Sequence, residues 1–201
     1  LEADTQYWAR LRYKAQTPDV QSPYSSVVTF KTADGTPPIP PVDDLFSTTL
    51  YAGDSTSRDI KTGVDNTNSL VWIKETTDTA HHYLFNSENS AGLYLSSDQL
   101  TKEKSLAQGL NSFDSDGFHI MSSPEINESG QTYVAWSFVK NSGFFDIQNY
   151  TGTGVSGLKV PHQLQSEPAM MIVKNRSTGS DWAVYHKELG TGKVLYLNDT
   201  R

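Results

Sequence analysis

The sequence predicts an all-β protein made of tandem antiparallel β-sandwich modules. Three observations carry that expectation. Apolar residues make up only 36% of the 201 positions while aromatics reach 11%, so cores must form from few but large side chains. Thr, Ser, Asn and Gly are abundant and no long charged or Ala/Leu-rich stretch occurs, which favours short strands and turns over helices. The third observation is that one alternating segment occurs twice, about a hundred positions apart.

The chain opens on "LEADTQYWARLRYKAQ". Tyr7, Ala9, Leu11 and Tyr13 fall on one face of a strand, and Trp8, Arg10, Arg12 and Lys14 on the other. The second face reads as solvent-facing, with Arg stems packed over the Trp. A turn-rich stretch with two prolines follows, then "SSVVTFKT", with Val28 and Phe30 on one face. Two strands do not make a stable domain. Leu1, Thr5, Tyr7 and the alternating strand, with Ser26, Val28, Phe30 and Thr32 later, resemble the last two strands of a fibronectin type III domain. Tyr7 sits where such sandwiches place a corner tyrosine. The resemblance implies that residues 1–32 end a fibronectin type III-like domain whose other strands lie upstream. Residues 33–43 contain Pro37, Pro38, Pro40 and Pro41, a semi-rigid linker because proline neither pairs inside a sheet nor continues a helix.

The repeat follows. "LVWIKETTDTAHHYLFNSENSAGLYL" (70–95) matches "MMIVKNRSTGSDWAVYHKELGTGKVLYL" (170–197). Each opens with an apolar strand ending in Lys, at Lys74 and Lys174, and continues through a polar turn into a second strand. Each then reaches a Glu (Glu88, Glu188) and a Gly (Gly92, Gly192), and closes on Tyr-Leu. Upstream, "FSTTLYAGDS" (46–55) and "FDIQNYTGTG" (145–154) share Phe, Tyr and Gly at equal spacing. One sandwich repeat is therefore expected over 44–140 and a second, truncated one over 144–201, both chain ends reading as cuts within a longer protein. The period is too long for a solenoid and suits domains on a string, each burying its own core.

Within the first unit, strands are expected at 47–51, 58–61, 69–75, 82–86, 92–96, 117–122 and 132–139, separated by Gly, Asn, Asp and Ser turns. In "TYVAWSFV" the core face is expected to be Val134, Trp136 and Phe138, with Tyr133, Ala135 and Ser137 pointing away. Residues 96–110 are expected to be loop.

The segments "LVWIKETTDTAHHYLFNS", "SFDSDGFHI", "GQTYVAWSF" and "YTGTG…VPHQLQSEPAMMIVKNRSTGSDWAVYH" together resemble an uncharacterised repeat family of tail-fibre and other virion proteins of marine bacteriophages. The resemblance covers most of the chain. It implies a jelly-roll, concanavalin-like sandwich and a structural role in the virion tail. It also implies a homo-oligomer, with a trimer the expected order, contacts to other virion proteins, and host-surface glycan as the target if the segment binds anything. It supplies no catalytic residue. Related repeats carry Lys-Asn-Arg-Ser after the first strand, as at Lys174–Ser177, where the first unit has "KETT".

The net charge of −7 argues against a nucleic-acid surface, which needs a basic stripe, and against docking on an anionic membrane. No apolar run approaches the roughly 20 residues of a membrane span, so no membrane insertion is expected. The absence of Cys leaves the redox compartment open.

No cofactor or metal is expected. Glycan hydrolysis needs two carboxylates across the sugar bond, and a strand presents them on one face at alternate positions. The nearest stretch, "PEINESG", offers Glu125, Asn127 and Ser129, with Glu128 out of phase. Asp114, Asp116 and Gly117 fail an EF-type count, because Ser112 and Ser123 fall where acids belong. They read as a hairpin turn with Asp-Gly in left-handed positions. His81 and His82 point to opposite faces of a strand, and zinc needs three or four convergent ligands. "GTGVSG" (152–157) precedes no helix pattern, and a Ser–His–Asp set cannot be argued without geometry. The densest cluster suited to a sugar's apolar face and hydroxyls is Arg176, Asp181, Trp182, Tyr185 and His186. A virion structural segment is thus the leading expectation. The alternatives are a glycan-cleaving enzyme, secreted or virion-borne, and a spacer or decoration module without ligand.

Overall fold

The computed structural model describes residues 6–9, 28–31 and 40–199. The chain divides into two compact units, Leu1–Pro38 and Ile39–Arg201. In the first, β1 (Gln6–Ala9) pairs antiparallel with β2 (Val28–Lys31), Tyr7 opposite Phe30. This is the expected strand pair. The Tyr7 side chain, on which the corner assignment turns, lies outside the described residues, as do the side chain of Trp8, the residues Arg10, Arg12 and Lys14, and most of the proline linker.

The second unit begins with a helical turn, α1 (Val42–Leu45), and continues as β3 (Phe46–Ala52), β4 (Arg58–Lys61), β5 (Ser69–Glu75), β6 (His82–Asn86), β7 (Leu93–Tyr94) and β8 (Lys104–Ser105). Then come β9 (Leu110–Asp114), β10 (Gly117–Ile120), a second helical turn α2 (Pro124–Asn127), β11 (Thr132–Val139), β12 (Met170–Val173), β13 (Ala183–His186) and β14 (Leu195–Tyr196). All described strand pairings are antiparallel. The protein is all-β.

Two sheets, ordered β3-β11-β5-β6 and β4-β10-β9, enclose one core. Val71 and Ile73 of β5, Tyr83 and Phe85 of β6, and Tyr133 and Ala135 of β11 come from the larger sheet. Ile60 of β4, Leu110 of β9 and Phe118 and Ile120 of β10 come from the smaller, and Leu106 and Ile126 close the ends. This is the sandwich that the alternation predicts: period two sends every second residue inward.

The face of β11 is the reverse of the expected one. Tyr133, Ala135 and Ser137 are fully buried in the core, while Trp136 and Phe138 lie half-buried on the outer face. The reason is volume. Ala135 stands opposite Ile73, which stands opposite Tyr83, and Ser137 opposite Val71, which stands opposite Phe85. The neighbouring strands already supply bulk along these rows, so the central strand contributes small residues. Trp136 instead meets Trp72 edge to face on the other side, ring centroids 5.9 Å apart.

Asp114, Asp116 and Gly117 lie in the β9–β10 hairpin, which is the expected turn, but Gly117 serves a different purpose. The turn residues are Ser115 and Asp116, and neither Asp116 nor Gly117 has a positive φ. A Cβ on Gly117 would stand 2.0 Å from the Ile60 carbonyl oxygen of β4. The glycine lets two strands approach. Residues 96–110 are loop apart from β8 and the first residue of β9, while the helical turn α2 was not anticipated.

The repeat is reproduced in hydrogen-bond register. β5 pairs with β6 through Leu70–Asn86, Val71–Phe85, Trp72–Leu84 and Ile73–Tyr83. β12 pairs with β13 through Met170–His186, Met171–Tyr185, Ile172–Val184 and Val173–Ala183. The bridge Leu84–Leu95 recurs as Val184–Leu195. The His82 amide donates to Asp98 Oδ1 (3.1 Å) as the Trp182 amide donates to Asn198 Oδ1 (2.8 Å). Lys74 and Lys174 both donate to carbonyls of the turn that follows them. The match fails in two places. Gly92 has φ +83°, whereas Gly192 needs no left-handed backbone. Residues 46–52 form β3, but 145–154 form no strand. β3 exists by pairing with β11, and no described strand stands in that relation to 145–154.

Candidate functional site

The five residues singled out for sugar binding lie in and around the β12–β13 hairpin, and the fold separates their roles. Trp182 is buried, 5% exposed, and its indole Nε1 donates to the Ser96 carbonyl of the first copy at 2.8 Å. Lys174 Nζ sits 5.8 Å from the ring centroid, at cation–π distance. A buried ring offers no face to a sugar, so Trp182 is a packing residue. Arg176 is likewise engaged: Nε and Nη2 each donate to a Glu103 carboxylate oxygen at 2.8 Å, and Nη1 donates to Asn149 Oδ1 at 3.1 Å. The Glu103 amide donates back to the Arg176 carbonyl at 3.0 Å. Asp181 Oδ1 accepts from Asn198 Nδ2 at 2.9 Å. Tyr185 and His186 lie half-buried on opposite faces of β13, and His186 Nδ1 accepts from the Glu188 amide at 3.3 Å.

The Lys-Asn-Arg-Ser turn that distinguishes the second copy therefore has a structural consequence. Asn175 Oδ1 accepts the amides of Ser177 and Thr178 at 2.8 and 3.1 Å, which fixes the turn and aims Arg176 at Glu103. The Ser180 amide and Lys174 Nζ both donate to the Leu100 carbonyl, at 2.8 and 3.0 Å. The second hairpin is fastened to the 96–103 loop of the first sandwich.

A second aromatic grouping, on the outer face of the large sheet, emerges only with the register known. Trp72 and Trp136 are opposite each other on β5 and β11. Trp72 Nε1 donates to His82 Nδ1 at 2.9 Å, which requires the unprotonated nitrogen. Burial holds the His82 pKa below its usual value of 6.5, with the nearby Lys74 and His81 charges adding to the effect and Asp98 opposing it. Phe46, Phe138 and Phe145 continue the row, with centroids 4.9 and 5.4 Å apart. Trp at matching positions of two paired strands was the available signal. Alternation alone hides it, because it assigns Trp136 to the core face.

The register also assembles a set that no spacing rule finds. Ser57 Oγ lies 2.8 Å from His119 Nε2, and His119 Nδ1 lies 2.7 Å from Asp59 Oδ1. Ser57 and Asp59 share one face at the start of β4, and His119 is the cross-strand partner of Asp59. The His119 hydrogen bond draws the Asp59 carboxyl below its usual range; slight desolvation opposes this and the Lys61 charge adds to it. Nucleophile, base and orienting acid are in sequence, but the set lies on an open surface. Asp59 is half exposed and Lys61 bridges it to Asp116. Catalysis of acyl transfer also needs backbone or side-chain donors converging on an oxyanion in a dry site. Two surface clefts, one lined by Leu50, Tyr51, Thr76 and Tyr133 and the other by Asn68, Lys140, Phe145 and Asp146, include none of the three residues.

"PEINESG" is not a strand. Pro124–Asn127 form α2, so the alternate-position argument has no face to act on. Asn127 is fully buried; its Nδ2 donates to the carbonyls of Thr56 and Met121, and its Oδ1 accepts the Asp54 amide. Among the described residues, no group of three His, Cys, Asp or Glu side chains could hold a metal ion. Among the same residues no helix is long and apolar enough to cross a membrane.

No curated protein and no solved structure matches the chain. One family model does, the domain of unknown function DUF7483, over residues 41–201. That range takes in the sandwich, the fastened hairpin and both copies of the repeat, and the chain belongs to the DUF7483 family.

Proposed function

We propose that this chain is a segment of a bacteriophage tail-fibre or tail-tip protein, a non-catalytic run of β-sandwich modules in a homo-oligomeric appendage. The observation that carries the reading is the internal repeat, matched in sequence and in strand register, with the second copy fastened to the first through Trp182 and Arg176. Repetition with a fixed junction builds length. The resemblance of the same segments to virion repeats supplies the location and the expected contacts with other virion proteins. A host-surface glycan, in this reading, meets the Trp72–Trp136 face, where aromatic planes lie beside Lys74 and His82. Weak single sites suffice there, because copies along an oligomeric fibre add avidity.

The test is immunogold labelling of purified particles with antibody against residues 39–201, paired with peptide mapping of the particles. Label on tail appendages is the expected result. Particles without label or peptides would overturn the virion assignment. The non-catalytic part is tested separately. Incubation with activated esters and with envelope polysaccharide is expected to give no turnover, and Ser57→Ala or Glu125→Gln to change nothing. Turnover abolished by Ser57→Ala would establish an enzyme.

A further inference from the structure

The aromatic row on the outer face of β11 leads into a polar cleft. Trp136 and Phe138 occupy alternate positions of the strand, and Lys140 follows two residues on, about 13 Å from Trp136 at strand spacing. The Phe145 ring lies 5.4 Å from that of Phe138. Phe145 and Lys140 both line a surface cleft of about 300 Å³, whose other walls include Asn68, Asn141, Gln163 and Gln165.

The walls of this cleft are tied together by backbone groups. The Lys140 amide donates to the Asn68 carbonyl at 2.8 Å, the Asn141 amide to the Phe145 carbonyl at 2.9 Å, and the Gly143 amide to the Leu164 carbonyl at 2.9 Å. Asp146 completes the frame: its Oδ2 accepts the Gln163 amide at 2.8 Å and its Oδ1 the Ile147 amide at 2.9 Å. None of these bonds involves β12, β13 or β14. The four carboxamide side chains, by contrast, are idle. Those of Asn68, Asn141, Gln163 and Gln165 make no hydrogen bond among the described residues; Asn141 is half-buried and the other three are exposed. Each can donate two hydrogen bonds and accept at its carbonyl, which suits a hydroxyl, itself both donor and acceptor. The cation of the cleft is not idle. Lys140 Nζ is held between Glu88 and Asp146, and two carboxylates against one ammonium leave no charge for an anionic group to pair with. Lys74, beside the Trp pair, is committed to the Glu75 and Asp78 carbonyls.

We propose that this cleft is the end subsite of the Trp72–Trp136 face and that its occupant is an uncharged oligosaccharide. One ring sits against Phe145 with its hydroxyls on the carboxamides, and the rest of the chain stacks toward Trp136. This ligand class rests on the reading of that face as a glycan surface. Aromatic planes hold a sugar's apolar face without fixing which hydroxyls it carries. The carboxamides supply the choice, because polar groups left unpaired by a wrong ligand cost affinity. A uronate, sulfate or phosphate ester would set its charge beside Asp146 and Glu88 and is rejected.

The experiment uses the 201-residue chain on an array of neutral, uronate-containing and sulfated oligosaccharides, each series graded from monosaccharide to hexasaccharide. Retention of neutral oligosaccharides is expected, rising with length and absent from the acidic series. On titration with the best-retained one, the side-chain amide NMR signals of Asn141 and Gln163 should shift. Asn141→Ala combined with Gln163→Ala should weaken binding about tenfold. The urea midpoint should stay unchanged, since neither side chain has a protein partner to lose. Binding lost in Trp136→Ala but untouched by the carboxamide pair, with no shift at their amides, would leave the glycan face and remove the cleft from it. Preference for the acidic series would overturn the ligand class. Retention of no saccharide would overturn the glycan reading itself, and the subsite with it.

Discussion

Ser137 brings an unsatisfied hydroxyl into the sandwich core. Its side chain is fully buried in β11, and its Oγ has no hydrogen-bond partner. An unpaired buried hydroxyl costs about 1–3 kcal/mol relative to its solvated state, and the row Ser47–Ser137–Val71 needs only a small side chain. Ser137→Ala is therefore expected to stabilise the protein by about 1 kcal/mol, read as a higher urea midpoint at unchanged slope. His82 is the other residue whose setting predicts a measurement. Its folded pKa lies below 6.5, chiefly through burial, so the unfolded chain takes up the proton first as pH falls. The stabilisation from neutral His82 is complete above about pH 6.5 and is lost on acidification through the lower folded value. Unfolding titrations at stepwise lower pH should show this loss before the carboxylates protonate. His82→Gln, which keeps an acceptor for Trp72, should flatten that part of the profile. An unchanged profile would mean that the Trp72–His82 bond does not govern the titration.

At the scale of the element, β11 decides how much the sandwich depends on each face. Tyr133 is fully buried; its hydroxyl donates to the Pro124 carbonyl at 3.1 Å and accepts the Glu128 amide at 2.9 Å. Tyr133→Ala should cost about 3–5 kcal/mol, while Trp136→Ala, from a half-buried outer position, should cost less than about 2 kcal/mol. Chemical denaturation of the two variants checks the order, and a larger loss at Trp136 would restore the opposite face assignment. This strand also marks how far the sequence is legible. The limits of β4, β5, β6 and β11 could be read because alternation is clean and Gly, Asn and Ser punctuate it. Which face of β11 turns inward could not be read, because Val134 on the outer side is also buried, at 7% exposure, and hydrophobicity alone does not rank the two faces. Only the volumes of Ile73, Tyr83 and Phe85 across the sheet decide it. Trp182 reads in sequence as a sugar-facing ring, although it is buried, for a related reason. An aromatic–basic group looks the same in sequence whether solvent or a neighbouring module covers it.

At the scale of the whole Ile39–Arg201 unit, the question is whether the second hairpin is held by its own core or by the first sandwich. Its own sheet, β12-β13-β14, contributes Val184 as a buried apolar residue, while β12 and Leu195 remain open to solvent. Three short strands with so little buried surface are not independently stable. The attachment supplies the rest: Trp182 against Ser96, the bidentate Arg176–Glu103 pair, and the Lys174 and Ser180 bonds to Leu100. The Trp contributes most, since a buried aromatic truncated to Ala loses about 3–5 kcal/mol, whereas a partly exposed ion pair contributes up to about 1 kcal/mol. Trp182→Ala is accordingly expected to open the hairpin without unfolding the sandwich. Amide-exchange protection should fall across 170–197 and persist in β5 and β11, because regions of low local stability open as separate units. Arg176→Ala should lower protection in the same segment by a smaller factor, and Glu103→Ala combined with it should add little beyond the first substitution. A uniform fall across both copies in Trp182→Ala would instead make the two a single cooperative body, with the Ser96 contact part of the common core and no junction between repeats at that point.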